Sequence, residues 1–303
     1  MEGTWRLRVS EVVIAGFFCY TTYLALILLL SAPMRGQALL LNLVIVASYL
    51  LLFRAARRRP DSEILRVLRD LLPLALMLAA YKQMGWFAPP SHDLALERSW
   101  IEWDRLVLYG WGFKAGIESP GPLLPSLLEI SYSLVYALPL FCVFALYVTG
   151  RRRDVDVLLT VYLLGLFLSY IQFPFWPSEP PRTVFPGQDL PAITTVFRRF
   201  NLGLLGSQGI HTSVFPSAHV SGAFAAVFAL FHLFPGRPKL PLGVLTYASL
   251  VAAATVYGRY HYAVDAAAGM VVAVFAFGLG KVLLARCGGL STAPAPCRDA
   301  VNA

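Results

Sequence analysis

Tyr257-Gly258-Arg259-Tyr260-His261-Tyr262-Ala263-Val264-Asp265-Ala266-Ala267-Ala268-Gly269-Met270-Val271-Val272-Ala273-Val274-Phe275-Ala276-Phe277-Gly278-Leu279-Gly280 reads as a polar turn feeding an apolar run of bilayer length. After Asp265 no charge interrupts the run until Lys281. A helix needs about 20 predominantly apolar residues to cross a hydrocarbon core. The expectation is a spanning helix over 262–285, with His261 at its mouth. Asp265 follows four residues on, one helical turn away and on the same face.

Further apolar runs lie near 12–31, 37–54, 70–88, 123–148, 155–175, 216–234 and 240–257, making eight expected spans in all. The first run is longer than a typical signal-peptide core. Of the 303 residues, 57% are hydrophobic and 14% charged, against about 25% charged in a soluble domain. The chain therefore reads as an all-α polytopic membrane helical bundle.

Basic residues in short loops stay on the cytoplasmic side. Arg54, Arg57, Arg58 and Arg59 follow the second run, Arg151, Arg152 and Arg153 the fourth, Arg237 and Lys239 the sixth, and Lys281 and Arg286 the eighth. Each cluster follows an even-numbered span. This predicts both termini in the cytoplasm, in a cytoplasmic membrane, with 89–122, 176–215 and 257–262 on the outer face. The net charge of +8 is a topology signal on this reading. It is not a nucleic-acid face, since no basic stripe with interleaved aromatics stands outside the loops.

The organisation expected is a two-span hairpin with a basic loop over 1–69, a six-span core over 70–286 and a disordered tail over 287–303. Cys19 and Cys142 sit in spans as small packing residues, Cys287 and Cys297 in the tail, and no metal-ligand spacing appears. Residues 94–111 carry Leu96, Trp100, Trp103 and Val107 at helical spacing, with Glu97, Arg98, Glu102, Asp104 and Arg105 largely opposite. That pattern predicts an amphipathic helix lying in the interface. Trp86, Trp100, Trp103, Trp111 and Trp176 form an outer aromatic belt. His92 and His211 read as solvated loop residues, and His232 as structural.

A second polar cluster, Phe215-Pro216-Ser217-Ala218-His219, opens the sixth span. Proline is tolerated at the first helical position. The N–H groups of Ser217, Ala218 and His219 would then stand free at the positive end of the helix dipole, an anion site. Ser217 adds a hydroxyl, and His219 one turn in can protonate a departing oxygen. Asp265 can accept the His261 imidazole N–H, fix its tautomer and leave the other nitrogen to attack. The bland alternatives are an interfacial polar tip for each histidine and an Arg259 pair for Asp265. Two such histidines on one face favour phosphoryl transfer. Arg182, in the proline-rich stretch Pro174–Arg182, and Arg259 are candidate phosphate clamps. Glu129, Tyr132 and Tyr136 are inward polar contacts or packing residues.

These residues resemble the type 2 phosphatidic acid phosphatase superfamily over roughly 70–285. The likeness is carried by Pro216-Ser217-Ala218-His219 and by His261 through Asp265. It implies a six-helix core, no metal or other cofactor, His261 as a nucleophile forming phosphohistidine, Asp265 as its orienting base and His219 as the acid. It also implies that Ser217, Ala218 and the basic residues hold the phosphate. Thr255 stands where the common pattern has arginine, and Phe175 where it has lysine. Thr255-Val256-Tyr257 ahead of His261 resembles the inositolphosphoryl-ceramide-synthase branch. The expected activity is lipid phosphatase, with a lipid phosphotransferase as the alternative; the expected partners are a phosphorylated lipid and the bilayer, with no nucleic acid. A transporter would show inverted repeats and deeply buried charges, and neither pattern is visible in the sequence.

Overall fold

The computed structural model describes residues 7–28, 30–89, 91–210, 212 and 214–286. Arg6, His211, Arg298, Cys287, Cys297 and the 287–303 tail lie outside the described residues. Those described are all-α, with no strand. The helices are α1 (Val9–Ile27), α2 (Ala32–Arg58), α3 (Glu63–Met84), α4 (Ala95–Arg105), α5 (Phe113–Glu118), α6 (Leu123–Ser133), α7 (Leu138–Val148), α8 (Val155–Tyr170), α9 (Pro181–Val184), α10 (Val196–Gln208), α11 (Ala218–Leu233), α12 (Lys239–Tyr257) and α13 (Ala263–Arg286). A π-helical turn, Leu106–Gly110, extends α4.

Helix occurs at each of the eight expected spans, but five are long and apolar enough to cross a bilayer: α1, α2, Leu123–Val148, α12 and α13. Helices α8 and α11 have 16 residues each, and α3 carries Glu63, Arg66, Arg69, Asp70 and Lys82. Within Leu123–Val148 the residues Leu134–Ala137 tighten into a 3-10 turn between α6 and α7. Pro139 follows it, and a proline ring clashes with the carbonyl four residues back.

Helix α8 is the axis of the bundle. Every residue except Asp156 and Leu168 is buried, as a helix that is apolar all round requires. Helices α1, α11 and α13 pack around it. Gly165 permits the closest approach: a Cβ there would lie 2.7 Å from Ala225 Cβ and 2.9 Å from the Ser221 carbonyl oxygen. Outside, Leu43, Val46 and Leu50 of α2 and Val271, Val274 and Phe275 of α13 are exposed, a surface suited to hydrocarbon.

One end of the bundle is held by ion pairs. Arg69 Nε meets Glu11 Oε1 at 2.6 Å, Arg8 meets Asp70 at 2.5 Å, and Arg152 pairs with both Asp70 and Glu63. Asp156 accepts the backbone N–H groups of Val9 and Ser10. Arg151 lies over the Phe234 ring just beyond α11. Arg151 and Arg152, ahead of α8, thus meet the end of α11 and the start of α3 there. The starts of α11 and α13, with both histidine clusters, lie at the other end.

The 94–111 stretch is helical, but its buried face differs from the amphipathic expectation. Glu97, Trp100, Ile101, Asp104 and Leu108 turn inward, whereas Trp103 is 67% exposed. The acids are buried because each has partners. Glu97 accepts from the Glu179 N–H and contacts His92 Nε2 at 2.5 Å. His92 is thus a paired residue, its side chain only 8% exposed. Trp103, Trp111 and Trp176 are exposed, as a belt requires, but Trp100 packs against Phe215 and Tyr262.

Candidate active site

Helix α11 begins one residue after Ser217, which is its N-cap; Pro216 therefore precedes the helix and is not its first residue. Ser217 Oγ accepts from the Val220 N–H at 3.4 Å. Its own N–H donates to the Asp265 carbonyl at 3.0 Å, so it is not free for an anion as the sequence suggested. This bond ties the two polar clusters together directly. Gly269 makes the approach possible: a Cβ there would sit 2.6 Å from the Ser217 carbonyl oxygen.

The turn before α13 is equally constrained. The Tyr260 and His261 N–H groups both donate to the Thr255 carbonyl, and Arg259 takes a left-handed conformation at φ 60°. Arg259 is fully buried and paired with Asp104. The other Asp104 oxygen accepts the Ala263 N–H at 2.6 Å, capping α13. Burial raises the Asp104 carboxyl above its ordinary value, opposed first by the Arg259 charge. Asp265 therefore does not pair with Arg259. Nor does Arg259 line the cavity beside the histidines; its guanidinium braces the turn from behind. Spacing could not have assigned this role, because the partner lies in a helix read as surface.

His261 is 5% exposed. Its Nδ1 lies 2.9 Å from the Val214 carbonyl oxygen and 3.4 Å from Asp265 Oδ2. A carbonyl only accepts, so Nδ1 carries the proton and its first partner is Val214. Asp265 Oδ2 accepts instead from the Tyr262 N–H at 2.8 Å, and Oδ1 has no hydrogen-bond partner among the described residues. Asp265 Oδ2, at 3.4 Å, is thus the second neighbour of Nδ1. Burial, reinforced by His219 and Arg182 and opposed by the Val214 bond, holds His261 well below the usual imidazole range, so it is neutral.

His261 Nε2 faces His219 Nδ1 at 3.4 Å, and His219 Nε2 faces the Tyr136 hydroxyl at 3.0 Å. Both imidazoles border a cavity of about 400 Å³. Ala218 and Arg182 line it too, as do Tyr81, Tyr132, Tyr136 and Tyr260. The Arg182 guanidinium lies 5.4 Å from the Tyr260 ring centroid, and its Nη1 reaches the Tyr260 carbonyl at 3.5 Å. No carboxylate pairs with it among the described residues. Burial lowers its basicity somewhat, with the neighbouring Tyr132 and Tyr260 opposing. By contrast Arg198 is committed: it donates to Glu129 Oε1 at 3.0 Å, and Glu129 also accepts from Asn201 and Tyr260.

A family model described as the PAP2 superfamily matches residues 100–279. The chain belongs to the PAP2 superfamily. No curated protein and no solved structure matches it. The match opens inside α4 and takes in every candidate residue, while Met77, Leu78 and Tyr81 of the cavity wall precede it. Membership gives this PAP2 protein an activity of the phosphatase or phosphotransferase type. Of the seven candidates, the cavity brings together His219, His261, Ala218 and Arg182 at its lining. Asp265 and Ser217 stand behind that lining, and Arg259 is held away. The Val214 carbonyl and Tyr260 had no signal in the sequence, since a backbone acceptor and one tyrosine in an aromatic turn carry no spacing.

Proposed function

We propose that this PAP2 protein is an integral membrane lipid phosphatase that works through a phosphohistidine on His261. One observation carries the reading: the Nδ1 proton of His261 is taken up by the Val214 carbonyl, so the Nε2 lone pair faces the cavity beside Arg182. In the first step Nε2 attacks phosphorus, the bond from phosphorus to the leaving oxygen breaks, and His219, as the imidazolium, protonates that oxygen and is left neutral. Asp265, 3.4 Å from Nδ1, offsets the charge that His261 acquires. In the second step a water attacks phosphorus, His219 takes its proton and the P–N bond breaks. Arg182 and the Ala218 end of α11 hold the phosphoryl oxygens. Among the described residues one cation without a carboxylate partner, Arg182, lines the cavity, which suits one phosphate group better than a diphosphate.

On this reading the substrate is a phosphorylated lipid, and the cavity wall between α3 (Met77, Leu78, Tyr81) and α10 (Leu202, Leu205) is its side entrance from the bilayer. The arginine-rich end is cytoplasmic, with both termini, and the site faces the outside. Residues 70–286 form the catalytic core, residues 1–69 an added hairpin. No metal takes part. Transfer to an alcohol in the inositolphosphotransferase manner uses the same two steps with a different second nucleophile, and Thr255-Val256-Tyr257 supports that branch.

The test is turnover of labelled phospholipid by the protein in vesicles, with trapping of acid-labile, base-stable phosphoenzyme. Phosphate release without added alcohol is expected, as is inhibition by vanadate but not by a chelator. His261→Ala should lose both turnover and trapped label; label persisting in that variant overturns the nucleophile assignment.

A further inference from the structure

Resting on the phosphohistidine reading, a second assignment follows from the partners of His219. Its ring is fixed in orientation, stacked on Tyr132 at 5.2 Å between centroids and 26° between planes. Tyr136 meets it edge-on, at 5.4 Å and 78°. A flip of the ring about χ2 would put ring carbons where the two nitrogens now stand and give up the contacts to His261 and Tyr136.

The proton positions along the chain of contacts follow from the Val214 carbonyl. His261 Nδ1 donates to the Val214 carbonyl at 2.9 Å, so Nε2 of that neutral ring is an acceptor. His219 Nδ1, 3.4 Å from this acceptor, must then be the donor. The remaining nitrogen, Nε2, has a lone pair and accepts from the Tyr136 hydroxyl at 3.0 Å. When His219 takes a second proton, Nε2 becomes a donor and the same hydroxyl turns to accept it. A hydroxyl serves both states because it has one proton and two lone pairs. A carboxylate at that place would favour the charged ring alone.

We infer that Tyr136 is a positioning residue: it keeps Nε2 of His219 occupied in both protonation states. The resting ring takes a proton at Nε2 to become imidazolium, gives its Nδ1 proton, which faces His261 and the cavity, to the leaving oxygen, and keeps the Nε2 proton in the bond to Tyr136; Nδ1 then takes the proton of water in the second step. The attacking nitrogen and phosphorus approach to about 3–3.5 Å before reaction, and the histidine contact is itself only 3.4 Å. A phosphoryl group therefore enters by parting the two rings. Nδ1 then lies across phosphorus from the nucleophile, where the leaving oxygen departs. Tyr136 is the hydrogen bond that His219 retains in that opened arrangement.

Tyr136→Phe keeps the ring edge and removes the hydroxyl. With a lipid whose leaving group is an alkyl alcohol, turnover should fall about tenfold, the cost of one lost hydrogen bond to the acid. With p-nitrophenyl phosphate, whose leaving group needs no protonation, the pre-steady-state burst of nitrophenol should stay within about twofold. Equal losses of the first step on both substrates, or none on either, overturn the assignment while leaving the phosphohistidine reading intact. Wild-type protein inactive on both overturns the phosphohistidine reading and the catalytic role of Tyr136 with it. Nitrogen-15 spectra of the histidine-labelled protein give a readout apart from activity. Wild type should show His219 with the proton on Nδ1 and Nε2 hydrogen-bonded, and Tyr136→Phe the same tautomer with the Nε2 resonance moved to that of an unbonded nitrogen; a wild-type ring protonated on Nε2, or an Nε2 resonance that does not move, refutes the inference.

Discussion

Gly269→Ala tests whether the two histidine clusters depend on one helix contact. The added Cβ would lie 2.6 Å from the Ser217 carbonyl oxygen, 3.1 Å from Val220 Cβ and 3.3 Å from the Ser221 nitrogen. Carbon and carbonyl oxygen meet no closer than about 3.3 Å, leaving a shortfall of about 0.7 Å against backbone. Neither side can yield alone, since Ser217 N–H is bonded to the Asp265 carbonyl at 3.0 Å. The start of α11 must move away from α13, carrying His219 from His261. A misplacement near 1 Å at reacting groups costs about a hundredfold in rate, and overpacking costs about 1–3 kcal/mol of stability. Gly278 on the same helix has nothing within 4 Å of its Cβ position, so Gly278→Ala is the control and should be neutral. The assay is turnover in vesicles, with a thermal melt for each variant. Turnover of Gly269→Ala within about twofold of wild type refutes the argument, because it would mean the site does not register this contact.

Three further outcomes are expected. Arg182→Ala should lower kcat/KM by roughly a hundredfold and Arg182→Lys by less, as loss of a charged donor to the transition state requires; equal loss in both would show that stacking on Tyr260 is the larger role. Arg259→Ala should cost about 3–5 kcal/mol of stability by leaving the Asp104 carboxylate buried and unpaired, and the melt should drop more than that of Arg182→Ala; a folded Arg259→Ala with only a raised KM would return Arg259 to the phosphate site. Burial holds the folded His261 imidazole below the 6.5 of the unfolded chain, so the unfolded chain binds the extra proton. This contribution is whole above about pH 6.5 and is lost as pH falls below it; melts should show the loss, and His261→Gln should flatten it.

Much of the bundle was legible because span length and apolar periodicity are local properties. The apolar runs at 12–31 and 262–285 became α1 and α13 within a few residues. Runs 155–175 and 216–234 became shorter helices, since α8 is enclosed by protein and the Ser217 cap and Pro216 trim α11. The meeting of His219 with His261 was anticipated by motif. Their partners were not assigned to them, because Val214 lends only its backbone and Tyr136, readable as an inward polar contact or a packing residue, comes from the distant Leu134–Ala137 turn. Arg259 was misread for a related reason. An arginine two residues from a histidine looks like a phosphate ligand until Asp104, 155 positions away, claims it.

Helix α8 has a consequence for biogenesis. Its partners α11 and α13 lie far downstream in the chain, with α13 ending at Arg286. At about 5–20 residues per second of synthesis, several seconds pass between emergence of α8 and completion of the helices that enclose it. During that interval Thr160 and Ser169, both fully buried in the finished protein, have neither their final neighbours nor a lipid-compatible surface. Substitution of these two hydroxyl residues by alanine should ease insertion even where it loosens the assembled bundle.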